Sequence, residues 1–123
     1  MLSKTASTLA LLTAVVHILI GGEDALAPLL AAELALPAKG AMHACWHIVS
    51  VFLIWSVVVF WMADRTVLHF GLLWIASALV FMYVGLRQDG VYELVTNPQW
   101  TILGATGGIA LLSFSRQTRP ERV

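Results

Sequence analysis

The stretch AMHACWHIVSVFLIWSVVVFWMA, Ala41 to Ala63, decides the fold. It contains no Asp, Glu, Lys or Arg. About 20 mostly apolar residues in a helix cross the roughly 30 Å of hydrocarbon in a bilayer. The stretch therefore reads as a membrane span, with His43, Cys45 and His47 at its first end. Whether those three side chains form a site or only the wet end of a helix is the functional question.

Three further segments extend the same pattern: Thr5 to Gly21, Val67 to Leu86 and Gln99 to Ser115. The first and last are short and rich in small residues. Composition agrees with a membrane class. Of the 123 residues, 59% are hydrophobic and only 11% charged, against about a quarter charged in a soluble domain. Cys45 is the only cysteine, so no intrachain disulfide can replace a soluble core. Net charge is zero and no long basic run occurs, which argues against nucleic acid as a partner. Lys4 followed by the apolar run from Thr8 to Ile20 also imitates a secretory signal. Pro28 directly after the Ala25–Ala27 stretch, and His17 inside the apolar run, favour retention as a span.

Four spans place both termini on one side. That side holds Lys4, Arg65, Arg116, Arg119 and Arg122, leaving Lys39 and Arg87 opposite. The positive-inside rule then puts both termini in the cytoplasm, with residues 116–123 as a basic tail. The three residues Asp64–Thr66 make spans two and three antiparallel neighbours. Between spans one and two, GEDALAPLLAAELALPAKG, Gly22 to Gly40, predicts a short helix on the outer surface, begun near Glu23 and Asp24 and stopped by Pro37 and Gly40. The expected fold is all-α: a polytopic four-transmembrane-helix antiparallel bundle forming one membrane domain. Gly104 and Gly108 have the small-xxx-small spacing that lets helices approach, either within the chain or in a homo-oligomer. Trp46, Trp61 and Trp100, with Tyr83 and Tyr92, fit an interfacial aromatic belt, whereas Trp55 and Trp74 lie deeper.

Topology sends the polar groups to one end. His17 approaches the outer end of span one, and His43 and His47 lie just inside span two. Positions 43 and 47 share a helix face, while Cys45 points away and is a poor ligand beside them. Glu23 and Asp24 follow His17, and Arg87, Asp89, Glu93 and Gln99 end the other two spans at the same side. Ionisable groups in a span are costly and mark sites or wet cavities. His17, His43 and His47 with Glu23 or Asp24 supply a donor set for a transition metal. The histidines alone would suit a b-type haem. Plain solvation at the interface is the competing reading. A nucleophile–histidine catalytic set is not apparent.

HILIGGEDALAPLL (His17–Leu30), MHACWHIVSV (Met42–Val51) and NPQW (Asn97–Trp100) together resemble a group of small bacterial four-helix membrane proteins. Their pattern is H-x-x-x-G-G, then P-L-L, then an H-x-x-x-H-like start to the second span. The resemblance implies a bacterial inner membrane and no particular activity. The expected role is a non-catalytic accessory or binding protein, in the lipid bilayer alone or within a larger membrane complex. The alternatives are a metal- or haem-dependent redox protein and an oligomeric transporter.

Overall fold

The computed structural model describes residues 1–118, so Arg119, Glu121 and Arg122 of the basic tail lie outside the described residues. The described chain is all-helical, with no strand. Three helices are long and apolar enough to cross a membrane: α1, Leu2–Ala31; α2, Leu36–Met62; and α3, Thr66–Gln88. A short α4, Val91–Thr96, leads into α5, Gln99–Gln117.

The separate surface helix expected after the first span is not a separate element: residues 22–31 continue α1. Gly21 and Gly22 do not stop the helix, and Glu23 and Asp24 stand within it rather than at its start. The continuation passes through two π-helical turns, Val16–Ile20 and Gly22–Leu26. The second lies directly ahead of Pro28, whose ring crowds the carbonyl four residues back and favours a wider turn there. Pro37 likewise does not stop a helix. It sits in the first turn of α2, where its missing N–H costs nothing. Between the two helices, Lys39 Nζ donates to the Leu30 carbonyl at 2.7 Å, satisfying one of the open carbonyls at the end of α1.

At the far end of α2, Ala63 takes a left-handed conformation with φ 57° and ends the helix. Asp64 then accepts hydrogen bonds from the Thr66 hydroxyl and from the Thr66 N–H, setting the start of α3. Those bonds, the hydroxyl's first, hold the Asp64 carboxyl below its ordinary value. Their support for the turn is present at neutral pH and is lost as pH falls through that lowered value. Gly90, with φ 64°, makes the turn from α3 into α4.

α1 packs against α2 and α5, and α5 packs against α3. Along α1 and α2 the contacts run in reverse order: Ser3 donates to the Phe60 carbonyl, Ser7 to that of Val57 at 2.8 Å, and His17 meets Trp46. Lys4 joins that end, donating to the Trp61 carbonyl at 2.8 Å with its ammonium 3.5 Å from the Trp61 ring centroid. Phe60 and Trp61 are among the last residues of α2, whose carbonyls lack partners within the helix. α1 thus closes the C-terminal end of its neighbour.

Much of the interior, and the whole buried face of α1, is made of small and hydroxyl side chains. Ala6, Ala10 and Ala14 are buried, as are Ser3, Ser7, Ser56, Thr106 and Ser113. Large apolar side chains such as Leu11, Leu19, Ile48, Val51, Leu72 and Leu79 stand at the surface. In water such a surface would drive aggregation. In lipid it costs nothing, because packing of small residues, rather than burial of apolar ones, holds helices together. α2 and α3 use the opposite device. Phe52 and Phe60 on α2 meet Phe70 and Trp74 on α3 in an aromatic layer, with centroids 5.8 to 6.5 Å apart.

The Thr106 hydroxyl is fully buried without a hydrogen-bond partner among the described residues. A buried unpaired hydroxyl costs about 1–3 kcal/mol. Thr106→Val, which keeps the shape, is expected to raise the unfolding midpoint in detergent. A lowered midpoint would mean that the hydroxyl is satisfied in the folded protein.

Candidate functional site

The polar residues collect at the end of the bundle opposite Lys4, Arg65 and Arg116, but in three neighbourhoods rather than one. The first is built on His17. It lies in the first π-helical turn of α1, and its ring stacks on Trp46 of α2 with centroids 4.0 Å apart and planes 19° from parallel. Its Nε2 is 3.4 Å from the Trp46 carbonyl oxygen, a long contact beside the usual 2.7–3.2 Å for such a bond (about 3 Å). The same carbonyl accepts from the Ser50 hydroxyl at 3.0 Å. Gly21 makes room for the indole: a Cβ there would lie 2.9 Å from Trp46 Cη2. The glycine after H-x-x-x is therefore a seat for Trp46.

The second neighbourhood is the pair His43 and His47. One helical turn apart on α2, they bring their Nε2 atoms to 3.0 Å, with ring centroids 4.8 Å apart. One Nε2 must carry the proton and the other the lone pair. His47 is exposed and His43 half-buried. Cys45, between them in sequence, is exposed, as its two-residue offset requires on a helix.

The third neighbourhood lies where α3, α4 and α5 meet. A recess of about 100 Å³ is lined on its polar side by Gln88, Glu93, Asn97 and Gln99. Asn97 Nδ2 donates to Glu93, and Trp100 Nε1 donates to the Leu94 carbonyl at 3.0 Å. Arg87 and Asp89 stand exposed beside it.

The five residues expected to hold a metal do not form one group. Among the described residues, no three His, Cys, Asp or Glu side chains gather so as to hold an ion. His17 is occupied with Trp46, Glu23 and Asp24 are exposed on the extension of α1, and only His43 and His47 meet. The haem reading needs His17 to turn towards a facing histidine, whereas its ring lies flat on an indole.

Sequence reasoning did not identify Trp46 as the partner of His17. The signal was available as Gly21, since a glycine inside a helical run marks a close approach. Comparison with known protein families, curated proteins and solved structures found no match to this chain.

Proposed function

We propose that the chain is a four-span antiparallel bundle of the bacterial inner membrane, with both termini cytoplasmic, acting as a non-catalytic accessory or binding protein through its outer end. α5, at 19 residues, is about 28 Å long and serves as the fourth span. Lys4, Arg65 and Arg116 mark the cytoplasmic end by the positive-inside rule. The bacterial assignment rests on the resemblance in the three sequence motifs.

The observation that carries the binding role is length. α1 has 30 residues and α2 has 27, about 45 and 40 Å of helix against a hydrocarbon thickness of about 30 Å. The α1–α2 hairpin therefore stands out beyond the membrane core. It carries Glu23, Asp24 and Glu33, with the histidine pair just below it on α2, and it exposes Leu34 and Leu36, the latter to 82%. Leucines on a projecting hairpin, rimmed by charge, suit contact with another membrane protein.

Cys45 gives a direct test of the orientation. In intact spheroplasts a membrane-impermeant maleimide is expected to label it from outside. Lys39→Cys in a Cys45→Ser background, about 1.7 turns nearer the tip, is expected to label at least as fast. Labelling of both only after permeabilisation would reverse the topology. The binding role is tested by a photo-crosslinking residue at Leu36. A single discrete protein adduct, absent when the same residue replaces lipid-facing Leu79, supports it. Identical adduct patterns at the two positions would remove it.

A further inference from the structure

We propose that His43 and His47 are a two-point chelate for a divalent transition ion of tetragonal preference, copper(II) foremost, with the remaining coordination positions open to water or to a donor from outside the chain. The inference adds a ligand to the outer end proposed above, but the chelating geometry itself does not depend on which way the bundle faces.

The separation of the two nitrogens is the first ground. Their Nε2 atoms are 3.0 Å apart. With metal–nitrogen bonds of about 2.0–2.1 Å, that separation subtends about 94° at a shared ion. Adjacent positions of a square-planar or octahedral ion are at about 90°, whereas a tetrahedral ion would hold the nitrogens about 3.3 Å apart. The pair therefore matches copper(II) or nickel(II) better than zinc, and copper(II) also has the highest place in the general affinity order.

The second ground is preorganisation. Both rings project from one face of a continuous helix, and their nitrogens already converge without an ion. The rotamer entropy of gathering two ligands is thereby reduced before the ion arrives. Both Nε2 lone pairs must face the metal. In the neutral pair the ring that donates the proton moves it to its own Nδ1, so binding consumes no charge. Where one ring is an imidazolium, one proton is released.

The third ground is what surrounds the pair. No third histidine, cysteine or carboxylate joins it among the described residues. An ion held there keeps open positions, as a docking or exchange site does and a closed structural site does not. The pair lies about two to three turns in from the outer end of α2, so an ion reaches it from the outer interface rather than through the middle of the hydrocarbon.

The test uses the full chain in lipid nanodiscs, free of any histidine tag. Cys45→Ser is the parent, so that the thiol does not reduce copper(II). Copper(II) is titrated alone, followed by calorimetry and by electron paramagnetic resonance. One ion per chain is expected, with a tetragonal signal and coupling to two nitrogens. His43→Ala and His47→Ala are each expected to weaken binding by about tenfold or more, the loss anticipated when a second point of attachment disappears. His69→Ala, at the other end of the bundle, is expected to leave it within about twofold, a difference of roughly 0.4 kcal/mol. Helicity and thermal midpoint of the two histidine variants check their folding.

Copper affinity unchanged in both variants would overturn the chelate. So would an equal loss in His17→Ala, which would restore a three-histidine site instead. Labelling at Lys39→Cys reads the topology separately, so failure of the membrane orientation and failure of the chelate are distinguishable.

Discussion

Trp74→Ala is expected to cost about 3 kcal/mol and to release α3 from α2, the low end of the range for losing a buried aromatic residue (about 3–5 kcal/mol). The low end applies because lipid tails are as apolar as the core, so the lost term is packing rather than burial. Trp74 is fully buried, and its ring meets Phe52 and Phe60 across the helix pair. Its Nε1 donates to Ser56 Oγ at 2.9 Å, and Ser56 in turn donates to the Phe52 carbonyl at 2.7 Å. Replacement by alanine leaves a void in the aromatic layer and also removes the indole hydrogen bond to Ser56. Ser56→Ala is the smaller perturbation, roughly 0.6–1.7 kcal/mol as for other polar contacts between membrane helices. Trp55, 58% exposed, is the control. Unfolding by a graded denaturing detergent, followed by helicity and near-ultraviolet dichroism, should order the three variants as Trp74→Ala, Ser56→Ala, Trp55→Ala. Equal losses for the two tryptophans would mean that the aromatic layer does not hold α2 against α3.

Two adjacent glycines on α5 are expected to respond with opposite signs. A Cβ at Gly107 would lie 2.8 Å from the Gly71 carbonyl oxygen and 3.0 Å from both the backbone nitrogen and Cγ1 of Ile75. Those obstacles are mainly backbone, so α3 and α5 must separate to admit even one methyl group. Gly107→Ala should therefore destabilise by about 1–3 kcal/mol, and Gly107→Leu should part the pair. A Cβ at Gly108 meets nothing within 4 Å. Gly108→Ala then gains helix propensity alone and should stabilise by about 0.5–1 kcal/mol. The same detergent titration measures both. A stabilising Gly107→Ala would contradict the close approach of α3 to α5. A destabilising Gly108→Ala would place another chain against that face.

These glycines show what the sequence could and could not disclose. The spacing of Gly104 and Gly108 drew attention because small residues four apart are the familiar packing signature. In the structure Gly104 only reaches ordinary contact with Ala78, and the tight approach belongs to Gly107 against Gly71. A motif defined by spacing on one helix carries no information about where its partner lies. The three helices long and apolar enough to cross a membrane were legible for the opposite reason: crossing hydrocarbon is a property of one segment, independent of its neighbours. α1 is short of large apolar residues along one face, and the small residues there have a role that spacing alone does not reveal. Ser3, Ala6, Ser7, Ala10 and Ala14 are its buried face.

The histidines divide in the same way. Positions 43 and 47 are related by the helix alone, and their meeting could be read from spacing. The position of His17 depends on how α1 passes α2, and on a π-helical turn and a glycine that seat Trp46 beneath it. The expected three-histidine cluster was an inference about tertiary contact from depth alone, and depth does not fix the direction of a ring. The continuity of α1 through Gly21 and Gly22 escaped for a related reason. Glycine lowers helix stability only modestly, and Pro28 is tolerated because the preceding turn widens.

α1 makes contact with α5, the last helix of the described chain. During synthesis the surface of α1 that meets α5 waits while the intervening residues are made. At about 5–20 residues per second, that interval is on the order of ten seconds. Meanwhile α1 and α2 can pair, since their contacts need only each other, but the bundle closes when α5 slides between α1 and α3. Assembly thus has an order imposed by the chain: a hairpin first, a ring last. A chain cut before Gln99 would leave α1 and α3 without the helix that both of them pack against.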